Sequence, residues 1–74
     1  IPFTIENHAF IDISIYDVYG KLTRILHQEN RAAGEYTEIW DKKDGTKNEV
    51  SNGVYFINLK INGEVYSSKK MLVY

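Results

Sequence analysis

The stretch "GVYFINLKI", followed by Asn62-Gly63 and then by residues 65–74, constrains this chain more than any other feature. Tyr55, Ile57, Leu59 and Ile61 fall on one face of a two-residue period, with Asn58 and Lys60 on the other. That is the pattern of a half-buried strand. Asn-Gly supplies the positive φ that both central residues of a type I′ turn require, so residues 65–74 must return alongside. A lone hairpin is marginal in water, and its apolar face needs more strands to cover it. "FIDISIYD" (residues 10–17) is one: Ile11, Ile13 and Ile15 face one way, Asp12 and Ser14 the other.

Two further strands are read in "KLTRIL" (residues 21–26) and "EYTEIWD" (35–41), and a short first one in "IPFTI", whose proline suits an edge or a strand start. Gly20 after Asp17-Val18-Tyr19 and Gly34 after Arg31-Ala32-Ala33 supply the punctuation. No segment has helical period, none is of low complexity, and there is no internal repeat or linker. Short strands with regular turn signals predict an all-β fold, an immunoglobulin-like antiparallel β-sandwich of about six to seven strands. Ile13, Ile15, Trp40, Tyr55, Ile57 and Leu59 are its expected core, with Trp40 as the residue the sheets pack around. Tyr36, Glu38 and Trp40 share a face. The expected arrangement turns Tyr36 and Trp40 inward and leaves Glu38 near an edge, its carboxylate in water, because a lone buried carboxylate is too costly.

Length and charge narrow the function. Seventy-four residues make one domain, 1–74. The chain has no cysteine, hence no disulfide and no thiolate metal site. A net charge of −1 with both signs interspersed argues against a nucleic-acid or anionic-membrane surface. No apolar run approaches the ~20 residues of a spanning helix. The chain opens on Ile1 rather than methionine, and is read as a piece of a longer protein.

The polar run "WDKKDGTKNEVSNGVYF" (residues 40–56) is the first place to look for chemistry. Asp41, Asp44 and Asn48 offer hard oxygen ligands. Counting back from Gly45, however, puts Trp40 in the first ligand place of a calcium loop, and Lys42, Lys43 and Lys47 oppose a dication. A phosphate loop needs a following helix, and none is expected. The run reads as a solvated inter-strand turn, with Asp-Gly at the bend and Asp41 accepting from backbone amides. His8 and His27 lack metal-ligand spacing and read as surface histidines. Ser14, Ser51, Ser67 and Ser68 carry no mark of a nucleophile, and Asp41 with Asp44 makes a poor hydrolytic pair in so small a sandwich. Tyr16, Tyr19, Tyr66 and Tyr74 read as packing or as an exposed platform for sugar stacking. No catalytic residue and no cofactor is expected.

Taken in order, Ile15-Tyr16-Asp17, Gly20, Ala33-Gly34, Trp40-Asp41, Asn52-Gly53-Val54-Tyr55-Phe56 and Lys69-Lys70-Met71-Leu72-Val73 resemble the C-terminal sorting domain of type IX secretion cargo. They are equally similar to the related immunoglobulin-like domain of the flagellar hook-capping protein. The likeness covers nearly the whole chain, with departures. The family often has proline after the first strand, where this chain has Glu6-Asn7. The Asn-Pro-rich opening is absent, so the first strand is read as incomplete. The usual glycine after Trp-Asp is replaced by Lys42, and the chain ends in Tyr74 where the family often ends in lysine.

The resemblance implies a non-catalytic address label, read by the secretion machinery of Bacteroidetes-type bacteria. It then implies passage through the periplasm and outer membrane of a Gram-negative cell, removal by a sortase-like protease, and release or surface attachment of an upstream cargo. Its partners would be secretion and surface-attachment proteins and that cargo domain, with no nucleic acid and no direct membrane insertion. The candidate recognition residues are Lys69, Lys70, Met71, Leu72, Val73 and Tyr74. Lys69 and Lys70 also suit a second role, guarding a terminal edge strand against aggregation. The alternative is a structural accessory module of hook-capping or adhesin type, and a more distant one a carbohydrate-binding module.

Overall fold

A computed structural model describes residues 2–74. Six strands follow in order: β1 Pro2–Ile5, β2 Ala9–Asp17, β3 Leu22–Arg31, β4 Gly34–Thr37, β5 Gly53–Ile61 and β6 Glu64–Val73. All pairings are antiparallel, in a four-stranded sheet of order β3-β2-β5-β6 and a two-stranded sheet β1-β4. This is the two-layer arrangement of an immunoglobulin-like sandwich. Pro2 opens β1, a strand position at which proline is tolerated. Ile1, counted with the first strand in the sequence, lies outside the described residues.

The register explains why these strands form a layer. Across the inner face run three rows: Arg24–Ile15–Ile57–Lys69, His27–Ile13–Leu59–Ser67 and Glu29–Ile11–Ile61–Glu64. The two central strands contribute only apolar side chains to these rows, and the two edge strands contribute only polar or charged ones. Ile11, Ile13, Ile15, Ile57 and Leu59 are buried, and so are Phe3 and Ile5 of the small sheet, Ala9, Tyr55, Val73 and Trp40, all in one cluster. Fully burying one such side chain is worth roughly 1.5–3 kcal/mol.

Turn chemistry fixes the register. At the β5–β6 hairpin Asn62 and Gly63 take φ of 51° and 84°, as a type I′ turn demands. Between β2 and β3 the Asp17 carboxylate accepts from the amides of Tyr19 and Lys21, both at 2.9 Å, and Gly20 closes the loop at φ 80°. Two tyrosines repeat one device: the Tyr36 hydroxyl donates to the Ala32 carbonyl and the Tyr55 hydroxyl to that of Ser51, each at 2.7 Å. Each tyrosine stands two residues after a glycine, so the strand start is pinned to the turn before it, like the tyrosine corner of related sandwiches.

Two strand boundaries differ from the sequence reading by more than one residue. β3 runs on to Arg31, five residues past Leu26. Its inner face carries Arg24, His27, Glu29 and Arg31, and bulges displace its pairing with β2, so the apolar alternation that marks a half-buried strand is missing. β4 stops at Thr37, and residues 38–40 leave the sheet. Trp40 therefore enters the core from a loop. It lies edge-on to Tyr55 with ring centroids 5.4 Å apart, and its indole N–H donates to the Lys43 carbonyl at 2.9 Å. Truncating Trp40 to alanine is expected to cost roughly 3–5 kcal/mol in urea unfolding. Ile39→Ala, one residue away and 84% exposed, should change stability by no more than about 0.5 kcal/mol. Equal effects at the two positions would remove Trp40 as the anchor of the second layer.

Candidate recognition surface

The six candidate recognition residues do not present one uniform patch. Within β6 the side chains alternate: Lys69, Met71 and Val73 lie on the inner face opposite Ile57, Tyr55 and Gly53. Lys70 and Leu72 lie on the outer face opposite Phe56 and Val54. Val73 is buried and Met71 packs against the core, so these two hold the strand down. Lys69 and Lys70 are exposed on opposite faces, Leu72 is 55% exposed, and Tyr74, just past the strand, is 87% exposed. β6 is also a sheet edge, flanked by β5 alone. The terminal segment is thus an ordered edge strand, anchored on one face and accessible on the other and along its edge.

The polar run 41–50 is a folded loop with its carboxylates already engaged. Asp41 accepts from the Arg24 guanidinium at 2.6 Å and from the Lys43 amide at 3.1 Å. Asp44 accepts from the amides of Thr46 and Asn48 and from the Thr46 hydroxyl. Both carboxyls are held below the usual aspartate range. For Asp41 the chief cause is the Arg24 bond, and for Asp44 it is the Thr46 bond. The Gly45 amide ties the loop to the Thr23 carbonyl, and Arg24 reaches the same Lys43 carbonyl that receives the Trp40 indole. Among the described residues no three His, Asp or Glu side chains converge as a metal site.

Glu38 corrects the reading of residues 35–41. Its side chain is only 11% exposed and is paired, not open to water. Arg31, 10% exposed, donates to it at 2.5 Å, and His27 contacts its second oxygen at 2.7 Å. Burial alone would lower the Arg31 value, but the bonds to Glu38 and then Glu29 outweigh it and raise the guanidinium above its ordinary range. The sequence held no local sign of this, because the partners lie seven and eleven positions apart. His8 lies elsewhere, in an open cleft with Glu6, Glu64 and Tyr66 between the β1–β2 turn and the β5–β6 hairpin. The four tyrosines do not share a platform. Tyr66 is at the hairpin end of β6, whereas Tyr16 and Tyr74 lie near the other end of the sheet, with Tyr19 in the turn after β2.

Comparison with known families bears on a surface that carries an ordered terminal strand. The family model for the secretion system C-terminal sorting domain matches residues 2–74. The chain belongs to that family. It is a C-terminal sorting signal for type IX secretion, which serves Bacteroidetes-type bacteria, and a domain of this kind is recognised by the secretion machinery. Such a signal directs an attached cargo to the outer membrane, the cell surface or the medium. Sorting domains are not typically catalytic. No curated protein and no solved structure matches the chain.

Lys42 stands where the resemblance places a glycine in sorting domains, and its φ is 63°, in the left-handed region that favours glycine. Lys42→Gly should relieve that strain at the cost of some unfolded-chain entropy, for a net gain of up to about 1 kcal/mol in chemical denaturation. A loss of stability would show that the Lys42 side chain matters more than its backbone. The depressed aspartates give a second expectation. A carboxylate held low in the folded state stabilises it above the ordinary aspartate range, and that contribution disappears as pH falls through the folded value. Melting temperature should therefore fall on acidification below about pH 4, and less steeply in Asp41→Asn and Asp44→Asn.

Proposed function

We propose that the export machinery reads this sorting domain chiefly through the end of β6: Lys69, Lys70, Leu72 and Tyr74 as contact groups, with Met71 and Val73 holding them in place. The observation that carries the reading is the division of that segment between buried and exposed side chains on an edge strand. An edge strand invites a partner to add its own strand, and the two lysines offer charged grips. On this reading residues 1–74 are one domain that ends a longer secreted protein. It is non-catalytic, needs no cofactor or metal, and is removed at the surface by a sortase-like protease that attaches the upstream cargo. Asp41 and Asp44 support the non-catalytic part, since their oxygens serve the loop that carries Trp40. Kinship with the hook-capping domain is proposed on the same ordered motifs, and no observation favours an accessory-module role.

The test is a fluorescent cargo fused to residues 1–74, with an upstream export signal, in a host with the type IX apparatus. Lys69→Ala with Lys70→Ala should leave the melting temperature nearly unchanged, because exposed charges contribute little, yet should reduce export severalfold. Removing Leu72, Val73 and Tyr74 should abolish it. Export at the wild-type level by the folded double variant would show that the lysines are edge guards and not contacts. Export without the domain would remove the sorting role from this chain.

A further inference from the structure

The sorting role leaves unused a cluster at the other edge of the sandwich. His27, in the middle of β3, has both ring nitrogens against carboxylates: Nδ1 is 2.9 Å from Glu29 Oε1 and Nε2 is 2.7 Å from Glu38 Oε2. A neutral imidazole carries one N–H and one lone pair, and so can donate to only one of the two. The other contact then sets a lone pair against an anion. Only the imidazolium satisfies both.

The position of the cluster gives this a mechanical consequence. His27 and Glu29 belong to the four-stranded sheet, while Glu38 lies just beyond β4 of the small sheet. We propose that His27 is a pH-sensitive latch between the two layers, closed when the imidazole is protonated and loosened when it is neutral.

The surroundings are compatible with that device. On β3 itself Arg31 bridges the two carboxylates, at 2.5 Å to Glu38 and 3.4 Å to Glu29, and stands 4.9 Å over the Tyr36 ring of β4. The nearest charged pair along β3 is Arg24 with Asp41, which balance each other. From β2 only Ile11, Ile13 and Ile15 face this row, and none titrates. The Arg31 guanidinium stays cationic while the imidazole changes state. Glu29 is held below the ordinary glutamate range, first by its bond from His27 and then by Arg31. Histidine as a residue type changes charge between about pH 5 and 8, above the range in which carboxylates discharge. The sign follows: a proton that favours the folded state adds stability on the acid side, and the gain is lost as pH rises.

Melting temperature of the full 74-residue chain, measured at about pH 5.5 and about pH 8, tests this. Wild type should melt higher at the lower pH by roughly 4–8 °C, the shift expected for an ion pair of ordinary strength in so small a domain. His27→Gln should lose most of the difference, and His8→Gln should keep it. An NMR titration of wild type supplies a readout that does not depend on variant folding. Backbone amides of residues 36–40 should shift together with the His27 ring resonance. A melting temperature independent of pH over that range would overturn the latch. So would a difference that survives in His27→Gln, or amides near Glu38 that ignore the titration.

Discussion

One apolar face of one sheet has to be covered, and little chain is available to cover it. Ile11, Ile13, Ile15, Ile57 and Leu59 form a strip two strands wide, and the opposing layer consists of two four-residue strands and a single tryptophan. Everything near Trp40 follows from that shortage. A buried indole must have a partner for its N–H, and the Lys43 carbonyl provides it only if the chain turns back directly after Asp41. The turn is tight enough to need a left-handed residue at Lys42. It is then fastened by Arg24, which bonds both Asp41 and the Lys43 carbonyl. A run that reads in sequence as a solvated turn is in space the closing stitch of the core.

Much of this was legible in the residues, and the reason is physical. Where a strand is apolar on one side and polar on the other, as in β2 and β5, the period of two is visible and the face is known. Asn62-Gly63 and Gly20 fix their turns because few other residues accept those φ values. The reading fails where side chains on the inner face are charged. β3 carries Arg24, His27, Glu29 and Arg31 there, so its second half looked like loop. Residues 38–40 carry a tryptophan meant for the core at strand-like spacing, and so looked like strand. Glu38 was placed in water by a sound rule about lone carboxylates, but it is not alone. Its partners come from another strand, and no short-range pattern could announce them. The β6 end was picked out by family resemblance, and the alternation of the strand divides it into anchors and exposed groups.

The two edges of the large sheet are finished differently. Charges on the inner face of an edge strand discourage edge-to-edge pairing, and both β3 and β6 have them. On β3 they are spent within the molecule, as Arg24, His27 and Arg31 reach across to Asp41 and Glu38 and bind the layers together. On β6, Lys69 and Glu64 occupy the corresponding ends of the rows and remain exposed. At one edge the inner-face charges are engaged within the fold and at the other they are left exposed, without any change in sheet architecture.

That asymmetry bears on how a small domain can act as a signal. A flexible tail can be read by its sequence, but a receptor must then supply the ordering free energy, on the order of 1–2 kcal/mol for each residue fixed. Here the cost is met during folding: β6 is paired along β5 and anchored by Val73 and Met71 before any partner arrives. The open edge, the lysines and Tyr74 are then presented in a fixed relation to one another. An unfolded or half-translated chain presents the same residues without that relation. On the proposed reading, a receptor tuned to the paired strand would distinguish folded domains from unfolded ones, and the stability of the core, Trp40 included, would become part of what is recognised.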